Sequence, residues 1–268
     1  QAYASILGLD TFFPEQMRSC IQVSRKVRLE LGLRTPNDHT MPKFKMPVED
    51  ITHEQFREKY GTNPYCRRTD DVVWLWWADE LFKKYYNTTA DWQWLYETGK
   101  RCFAELYQPF FDETDGLYHG QASFIDIGGN GYPPDLPYQT IKALRRSVAI
   151  KASSTNALYY RGLRVMEACA KRLQLNDEAV EWAAKAAALR QSFRTGFIRP
   201  DGGITYFLHE DGHPEPRREA LGTAFAVMHD LLDKDEAIAA LFNGSDVPVA
   251  YPYHGSFFVL GGSRLGTG

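Results

Sequence analysis

Several features that would assign the chain to a broad class are missing from it. No apolar run approaches the ~20 residues that a membrane-spanning helix needs, so we expect no membrane span. No basic block accompanies the formal net charge of -3, which argues against a nucleic-acid partner. No strand-rich region could form a parallel sheet, and this excludes Rossmann and TIM-barrel architectures.

Cysteines are also few, and their spacing excludes the common zinc patterns. Cys20, Cys102 and Cys169 lie in apolar helical patterns and are predicted to be buried thiols, which do not fix the compartment. Because the chain begins at Gln1, processing or trimming can have removed a signal peptide. We favour a periplasmic or secreted location over the cytoplasm.

The chain that remains is mostly a succession of helical patterns. Apolar periodicity and end signals predict helices over residues 14–31, 52–60, 69–85, 91–111, 153–173, 177–197, 217–232 and 234–242. A small β-hairpin is predicted where residues 204–208 lead into the turn at 209–212. The glycine- and proline-rich stretch 112–140 has no sustained period, and long loops of this kind are usually functional.

Helices in pairs, joined alternately by short turns and long loops, predict an all-α fold of the toroid type. In such a ring the long loops line one mouth. A solenoid is the alternative, but the sequence shows no fixed-period repeat.

An unusual density of charged and aromatic residues marks residues 67–77, which read RRTDDVVWLWW. Thr69 can cap a helix whose first turn then holds Asp70 and Asp71, close to the positive end of the helix dipole. A helix start does not require the neighbouring arginines and tryptophans. Carboxylates and guanidiniums bind sugar hydroxyls, and aromatic faces pack against sugar C–H groups, so this stretch predicts a carbohydrate site.

Three blocks of the sequence resemble the six-hairpin glycosidases, the superfamily of (α/α)6 toroids. Residues 69–75, TDDVVWL, are similar to a helix of cellobiose phosphorylase-like and debranching-like enzymes. Residues 115–126, DGLYHGQASFID, resemble a loop of processing α-glucosidase I, trehalase and mannosylglycerate hydrolase. Residues 153–161, SSTNALYYR, resemble the helix that follows this loop. The blocks stand in the expected order.

The resemblance implies a single catalytic domain over residues 1–268 that is part of a longer protein or a barrel lacking segments. It also implies that Asp126, the last residue of the loop block, is the general acid. Its apolar neighbours suit that role, because an apolar setting raises the pKa of a carboxyl group. The alternative for Asp126 is an Asx-turn before two glycines.

No glutamate follows the loop that begins at residues 251–255, where the resemblance places the general base. Glu219 is therefore the candidate base, and a helix-end charge paired with an arginine is its alternative. The predicted sugar-contacting residues are Arg68, Asp70, Asp71, Trp74, His119, Gln121, Asn156, Tyr253 and His254. Within this set Asp71 is also explained as a helix-end charge and Asn156 as a partner for loop backbone. At least one of the three tryptophans is expected to be core, since they spread around the helix.

These residues predict an inverting, exo-acting glycoside hydrolase that cleaves α-linked gluco- or manno-type oligosaccharides without a metal or organic cofactor. Phosphorolysis is a close variant. A sugar epimerase or polysaccharide lyase is the alternative from a different enzyme class, and its proton transfer would rely on His119, His209, His213 and His254 rather than on Asp126. A carbohydrate-binding relative without activity is the alternative outside the enzymes, and the missing base favours it.

Overall fold

The computed structural model describes residues 2–30, 69–120, 122, 150–209, 211–218, 220–242, 252–253 and 256–257. Within these residues the chain is mostly helical and contains three two-stranded antiparallel sheets. The predicted helical class with a small β-hairpin is therefore confirmed. The helix predicted over 52–60 lies outside the described residues.

Seven helices of eight residues or more lie in the part of the chain described here. They are α1 (Pro14–Glu30), α2 (Val73–Tyr85), α3 (Thr89–Cys102), α4 (Ser153–Arg172), α5 (Asn176–Phe197), α6 (Ala220–Met228) and α7 (Lys234–Phe242). Short helical segments precede α1 at Ala2–Ala4, Ser5–Leu9 and Asp10–Phe12, and a 3-10 turn, Thr69–Val72, leads into α2.

Each of the three sheets is formed by strands of only two residues. Strand β1 (Phe111–Asp112) pairs with β2 (Leu117–Tyr118), β3 (Lys151–Ala152) with β4 (Phe207–Leu208), and β5 (Pro252–Tyr253) with β6 (Ser256–Phe257).

The core is organised around α4, which packs against α2, α3, α5 and α6. Helices α4 and α5 are joined by only three residues, so they form an antiparallel helical hairpin. Gly162 of α4 lets α2 approach closely, because a Cβ atom there would lie 2.8 Å from Cγ2 of Val72. The amphipathic pattern predicted both helices of the hairpin to within one residue at each end.

Helix α3 departs from its predicted span of 91–111 at both ends. It begins earlier, because Thr88 and Asp91 form a capping box at its N-terminus. As an α-helix it ends at Cys102 and continues as a π-helical turn, Phe103–Tyr107, and a 3-10 turn, Gln108–Phe110. The chain then enters β1, so the predicted helix is helical as far as Phe110 but changes its type after Cys102, and only Phe111 is extended.

The predicted hairpin at 204–212 is confirmed as antiparallel pairing around a turn. The amide of His209 donates to the carbonyl of His213 at 2.9 Å, and the amide of Glu215 donates to the carbonyl of Phe207 at 2.9 Å. The sequence did not reveal that β4 also pairs with β3, directly before α4. We call β3, β4 and residues 213–218 together the β-layer.

Cys102 and Cys169 are buried, as predicted, and burial raises the pKa of the Cys102 thiol to about 11. Cys20 is partly exposed, so the prediction of a buried thiol is wrong for this residue. No helix in the described ranges is both long and apolar enough to cross a membrane.

Candidate functional site

Four of the predicted site residues have described side chains: Asp71, Trp74, His119 and Asn156. The backbone alone is described for Asp70, in the turn before α2, and for Tyr253, in β5. The remaining predicted residues lie outside the described part of the chain, and they are Arg68, Gln121, Asp126, Glu219 and His254.

Asp71 binds a buried arginine of α1. Its carboxylate accepts two hydrogen bonds from Arg25, at 2.9 and 2.8 Å, and Nε of Arg28 lies 3.6 Å away. Burial acts to lower the pKa of Arg25, but the Asp71 carboxylate outweighs it and the pKa is raised. Asp71 therefore joins α1 to the start of α2, which agrees with its alternative as a charge at the helix end.

Trp74 is part of the core rather than an open aromatic platform, since only 2% of it is exposed. Its indole Nε1 donates a hydrogen bond of 2.9 Å to the hydroxyl of Tyr107. The guanidinium of Arg25 lies 5.2 Å from the indole ring centroid. Trp77 is buried as well, whereas Trp76 is partly buried, which confirms that at least one tryptophan is core.

Asn156 is fully buried at the start of α4, where its side-chain amide binds backbone on three sides. Its Oδ1 accepts from the amide of Tyr118 at 2.8 Å. Its Nδ2 donates to the carbonyls of Tyr118 at 2.9 Å and Ala152 at 3.0 Å. This geometry favours the alternative in which Asn156 satisfies loop backbone, because β2 and β3 take both of its Nδ2 hydrogens and an amide of β2 donates to its Oδ1.

A chain of aromatic contacts connects the three sequence blocks. From Trp74 on α2 it passes through the Tyr107 hydroxyl to Tyr159 of α4, whose ring centroid lies 5.5 Å from that of Tyr107. Tyr159 then stacks on Tyr118 of β2 at 3.7 Å. The three motifs, distant in sequence, therefore share one packed centre.

The turn between β1 and β2 carries a charged cluster that we call the Lys151 clamp, formed by Asp112, Asp115 and Lys151. The ammonium of Lys151 lies 2.6 Å from Asp112 Oδ2 and 2.7 Å from Asp115 Oδ2. The Lys151 side chain is only 9% exposed, compared with 25% for Asp112. The hydrogen bond from Lys151 holds the pKa of Asp112 well below its usual range.

The Lys151 clamp lies at the point where the chain leaves β2 toward Asp126. His119 Nε2 lies 3.4 Å from Asp112 Oδ2. The amide of Gly120 donates to the carbonyl of Ile150 at 2.7 Å, and the amide of Ala152 donates back to Gly120 at 3.1 Å. Both the side chain and the backbone neighbours of Lys151 thus hold the beginning of the loop block.

A second charged cluster lies at the edge of the β-layer, around Glu215. Its carboxylate accepts a hydrogen bond of 2.7 Å from Arg217 Nε and lies 3.2 Å from Nε2 of His209. Burial acts to raise the pKa of Glu215, but Arg217 outweighs it and the pKa is lowered. The ring of His209 stacks on that of His213 at 4.0 Å.

The β-layer also contacts Ala122 and contains Arg218, which precede the candidate catalytic carboxylates in the sequence. Ala122, four residues before Asp126 in the sequence, is buried with Tyr206 and Phe207. Arg218, directly before Glu219, pairs with Thr205 in an antiparallel bridge. Ala122 and Arg218 are therefore held by residues 205–207, on either side of Tyr206 and at Tyr206 itself.

Sequence reasoning missed Lys151 and Glu215 as members of these clusters. A lysine between Ile150 and Ala152 was the available signal, since a charge flanked by apolar residues requires a partner when it is buried. Among the residues that the structure describes, no group of three or more His, Cys, Asp or Glu could hold a metal ion.

No family model and no curated protein matches the chain. Among solved structures it is similar to the GH78 family rhamnosidase of Bacillus sp. GL1, with a TM-score of 0.48 and 14% identity. It is also similar to a rhamnosidase from Klebsiella oxytoca with rhamnose bound, with a TM-score of 0.44 and 11% identity. The matches cover 70% and 63% of this chain, but only 19% and 29% of those proteins. TM-scores below 0.5 do not establish a shared fold.

Proposed function

We propose that the chain belongs to a glycoside hydrolase of the (α/α)6 toroid type. Residues 1–268 all belong to its single catalytic domain. The reaction is inverting, exo-acting hydrolysis of an α-linked gluco- or manno-type oligosaccharide. Asp126 is the general acid and Glu219 the general base. The chemistry requires proton transfer at two carboxyl groups and no cofactor.

The observation that carries the proposal is the meeting of the three sequence blocks. Trp74, Tyr118 and Tyr159 come from different blocks, and the aromatic chain through Tyr107 connects them. Asn156 adds direct hydrogen bonds between the loop block and the helix block. A shared packed centre is what the resemblance of all three blocks to one superfamily leads us to expect.

The positions of Ala122 and Arg218 on the β-layer support the assignment of Asp126 and Glu219 as a pair, since these are the nearest described residues before them in the sequence. An extended chain spans at most ~3.6 Å per residue, so Asp126 stays within about 14 Å of Ala122. Glu219 directly follows Arg218 in the sequence, and Arg218 belongs to the same layer. An inverting mechanism needs the two carboxyl groups roughly 6.5–9.5 Å apart with a water molecule between them, and these tethers permit that spacing.

In the proposed reaction Asp126 protonates the glycosidic oxygen as the bond to the anomeric carbon breaks. Glu219 removes a proton from the water that attacks the opposite face of the sugar. Arg68 and Asp70 bind hydroxyls of the terminal sugar, together with Gln121, Tyr253 and His254. His119 lies beside the Lys151 clamp, close to the beginning of the loop block, and is a further hydroxyl partner.

The pairing of His209 with Glu215 favours a second candidate, an epimerase or lyase that transfers protons through histidine. A histidine whose ring nitrogen lies 3.2 Å from a carboxylate is a common general base arrangement. In that case His209→Gln removes activity and Asp126→Asn leaves it largely intact. The opposite result favours hydrolysis.

The test measures reducing sugar released from a panel of α- and β-linked disaccharides, with an α-rhamnoside included because both similar solved structures are named rhamnosidases. We expect release by the chain and a loss of about 10²–10⁴-fold in Asp126→Asn, the usual contribution of a general acid. Asp235→Asn, at the exposed start of α7, is the matched control and should keep full activity. Full activity in Asp126→Asn, or no release from any substrate by the folded chain, would overturn the proposal.

A further inference from the structure

A groove of about 320 Å³, lined by both apolar and charged residues, lies between α1 and α3, and it shares no residue with the Lys151 clamp or the β-layer. Its volume is at the lower end of the range of small-molecule sites, about 300–1,000 Å³. The residues that give it chemical character are Gln22, Arg25, Lys26, Trp94, Thr98 and Arg101. On α1, Arg25 and Lys26 follow Gln22 by three and four positions, and on α3 the three residues are four and three positions apart, so each set lies on one side of its helix.

Trp94 supplies the apolar surface of the groove. It is partly buried, and contacts from Trp74 at 6.2 Å and Phe82 at 6.0 Å, between ring centroids, hold its indole in position. The residue also lines the groove. A fixed aromatic surface in a polar setting suits the C–H face of a pyranose ring.

The groove carries an excess of positive charge. The terminal nitrogens of Arg25 bind Asp71, and Arg101 Nε lies 3.0 Å from Glu105. The negative charges of the two carboxylates therefore offset the positive charges of the two arginines. Lys26 is exposed, and in the described part of the chain no carboxylate pairs with it.

Arg25 contributes a second, independent indication of a ligand. Only 4% of this residue is exposed, and its Nε is buried without a hydrogen-bond partner. A buried donor without a partner costs about 1–3 kcal/mol, and most such groups in proteins are satisfied. An acceptor bound in the groove that Arg25 lines would remove this cost.

We infer that the groove binds an acidic saccharide, namely a sugar residue of the hexuronate class. The carboxylate of the sugar pairs with Lys26 and accepts from Nε of Arg25. The pyranose face packs on Trp94, and Gln22 and Thr98 bind ring hydroxyls. A neutral sugar lacks the charge for Lys26, and a simple anion lacks the surface for Trp94, so both bind less well than the uronate.

The experiment titrates the chain calorimetrically with a diuronate and with the matched neutral disaccharide, at low and at high salt. The chain carries Asp126→Asn throughout and is first assayed for reducing sugar released from both disaccharides, so that any hydrolysis is detected separately from binding and failure of the proposed function is distinguished from failure of this inference. We expect the diuronate to bind about tenfold more tightly, the effect of one charge-assisted hydrogen bond. The preference should weaken as salt screens Lys26.

Lys26→Met is the decisive variant, because the residue is exposed and its loss leaves the core unchanged. It should reduce diuronate affinity about tenfold and leave the neutral disaccharide unaffected. Lys234→Met, an exposed lysine of α7, is the matched control and should change neither affinity.

Three outcomes would overturn the inference. One is equal affinity for the two disaccharides. Another is a similar loss of diuronate affinity in Lys26→Met and Lys234→Met, which would indicate general electrostatic attraction. The third is binding of acetate or inorganic phosphate as tight as that of the diuronate, which would indicate a simple anion site.

Discussion

The Arg25–Asp71 pair and the Lys151 clamp have similar hydrogen bonds but different surroundings. In the first, distances of 2.8 and 2.9 Å join two side chains that are 5% and 12% exposed. In the second, distances of 2.6 and 2.7 Å join a buried lysine to carboxylates that are 25% and 36% exposed. The accessibility of the acid to water is the main difference between them.

This difference decides what each cluster contributes. When Asp71 is removed, Arg25 is left charged in the core, where water cannot replace the lost partner. When Lys151 is removed, Asp112 and Asp115 can turn to water. The first pair therefore holds the fold together, and the second holds a loop in place at lower energetic cost.

The largest expected effect is that of Asp71→Ala. It should lower the free energy of unfolding by about 3–5 kcal/mol, the usual cost of leaving one partner of a buried ion pair uncompensated. Urea unfolding followed by circular dichroism measures this. Glu105→Ala is the control, since its exposed pair with Arg101 should contribute about 0–1 kcal/mol. Equal losses in the two variants would contradict the role assigned to burial.

A smaller effect is expected for Lys151→Met, about 1.5–3 kcal/mol for hydrogen bonds to charged groups. The change should be local, so hydrogen exchange should accelerate at the amides of Leu117 and Gly120 before it does in α4. Lys100→Met is the control, because its 2.6 Å pair with Glu178 is largely exposed. Uniformly faster exchange in α4 would show that the clamp stabilises the whole fold.

The smallest effect concerns pH. The pKa of Asp112 is lowered in the folded chain, whereas an unfolded aspartate titrates near pH ~3.9. Below that pH the unfolded chain binds more protons, so the stabilisation is present above pH ~4 and is lost as the pH falls. The stability difference between the wild type and Lys151→Met should therefore narrow from pH 5 to pH 3. If the free energies of unfolding of the two proteins changed with pH in parallel, Asp112 would be excluded as the source of the pH-dependent difference.

Local sequence patterns predicted the helical hairpin well, because α4 and α5 both carry apolar residues at helical spacing, even though the first eight residues of α4 are all buried. They were less informative for α3, where Thr88 and Asp91 form a capping box with aspartate in place of the usual glutamate. The pairing of β3 with β4 joins residues far apart in sequence, and strands of two residues leave no periodic pattern to detect.

The candidate site was predicted in part. The motif blocks do pack together, yet Trp74 and Asn156 are occupied by contacts within the protein. Residue type alone does not distinguish an indole or amide that binds a sugar from one that binds the chain. Predicting the ion pairs of Lys151 would have required knowing that the fold brings β3 next to the β1–β2 turn. The roles of Asp126 and Glu219 stay predictions.

The β3–β4 pairing also has a consequence for the order of folding. The hydroxyl of Ser153 binds the carbonyl of Tyr206, 53 residues along the chain, and closing a loop of that length early is entropically costly. The helical hairpin of α4 and α5 lies within this loop and reverses the chain through local contacts. We therefore expect the hairpin to form first and the strands to join in a later kinetic step, since local contacts form faster than distant ones.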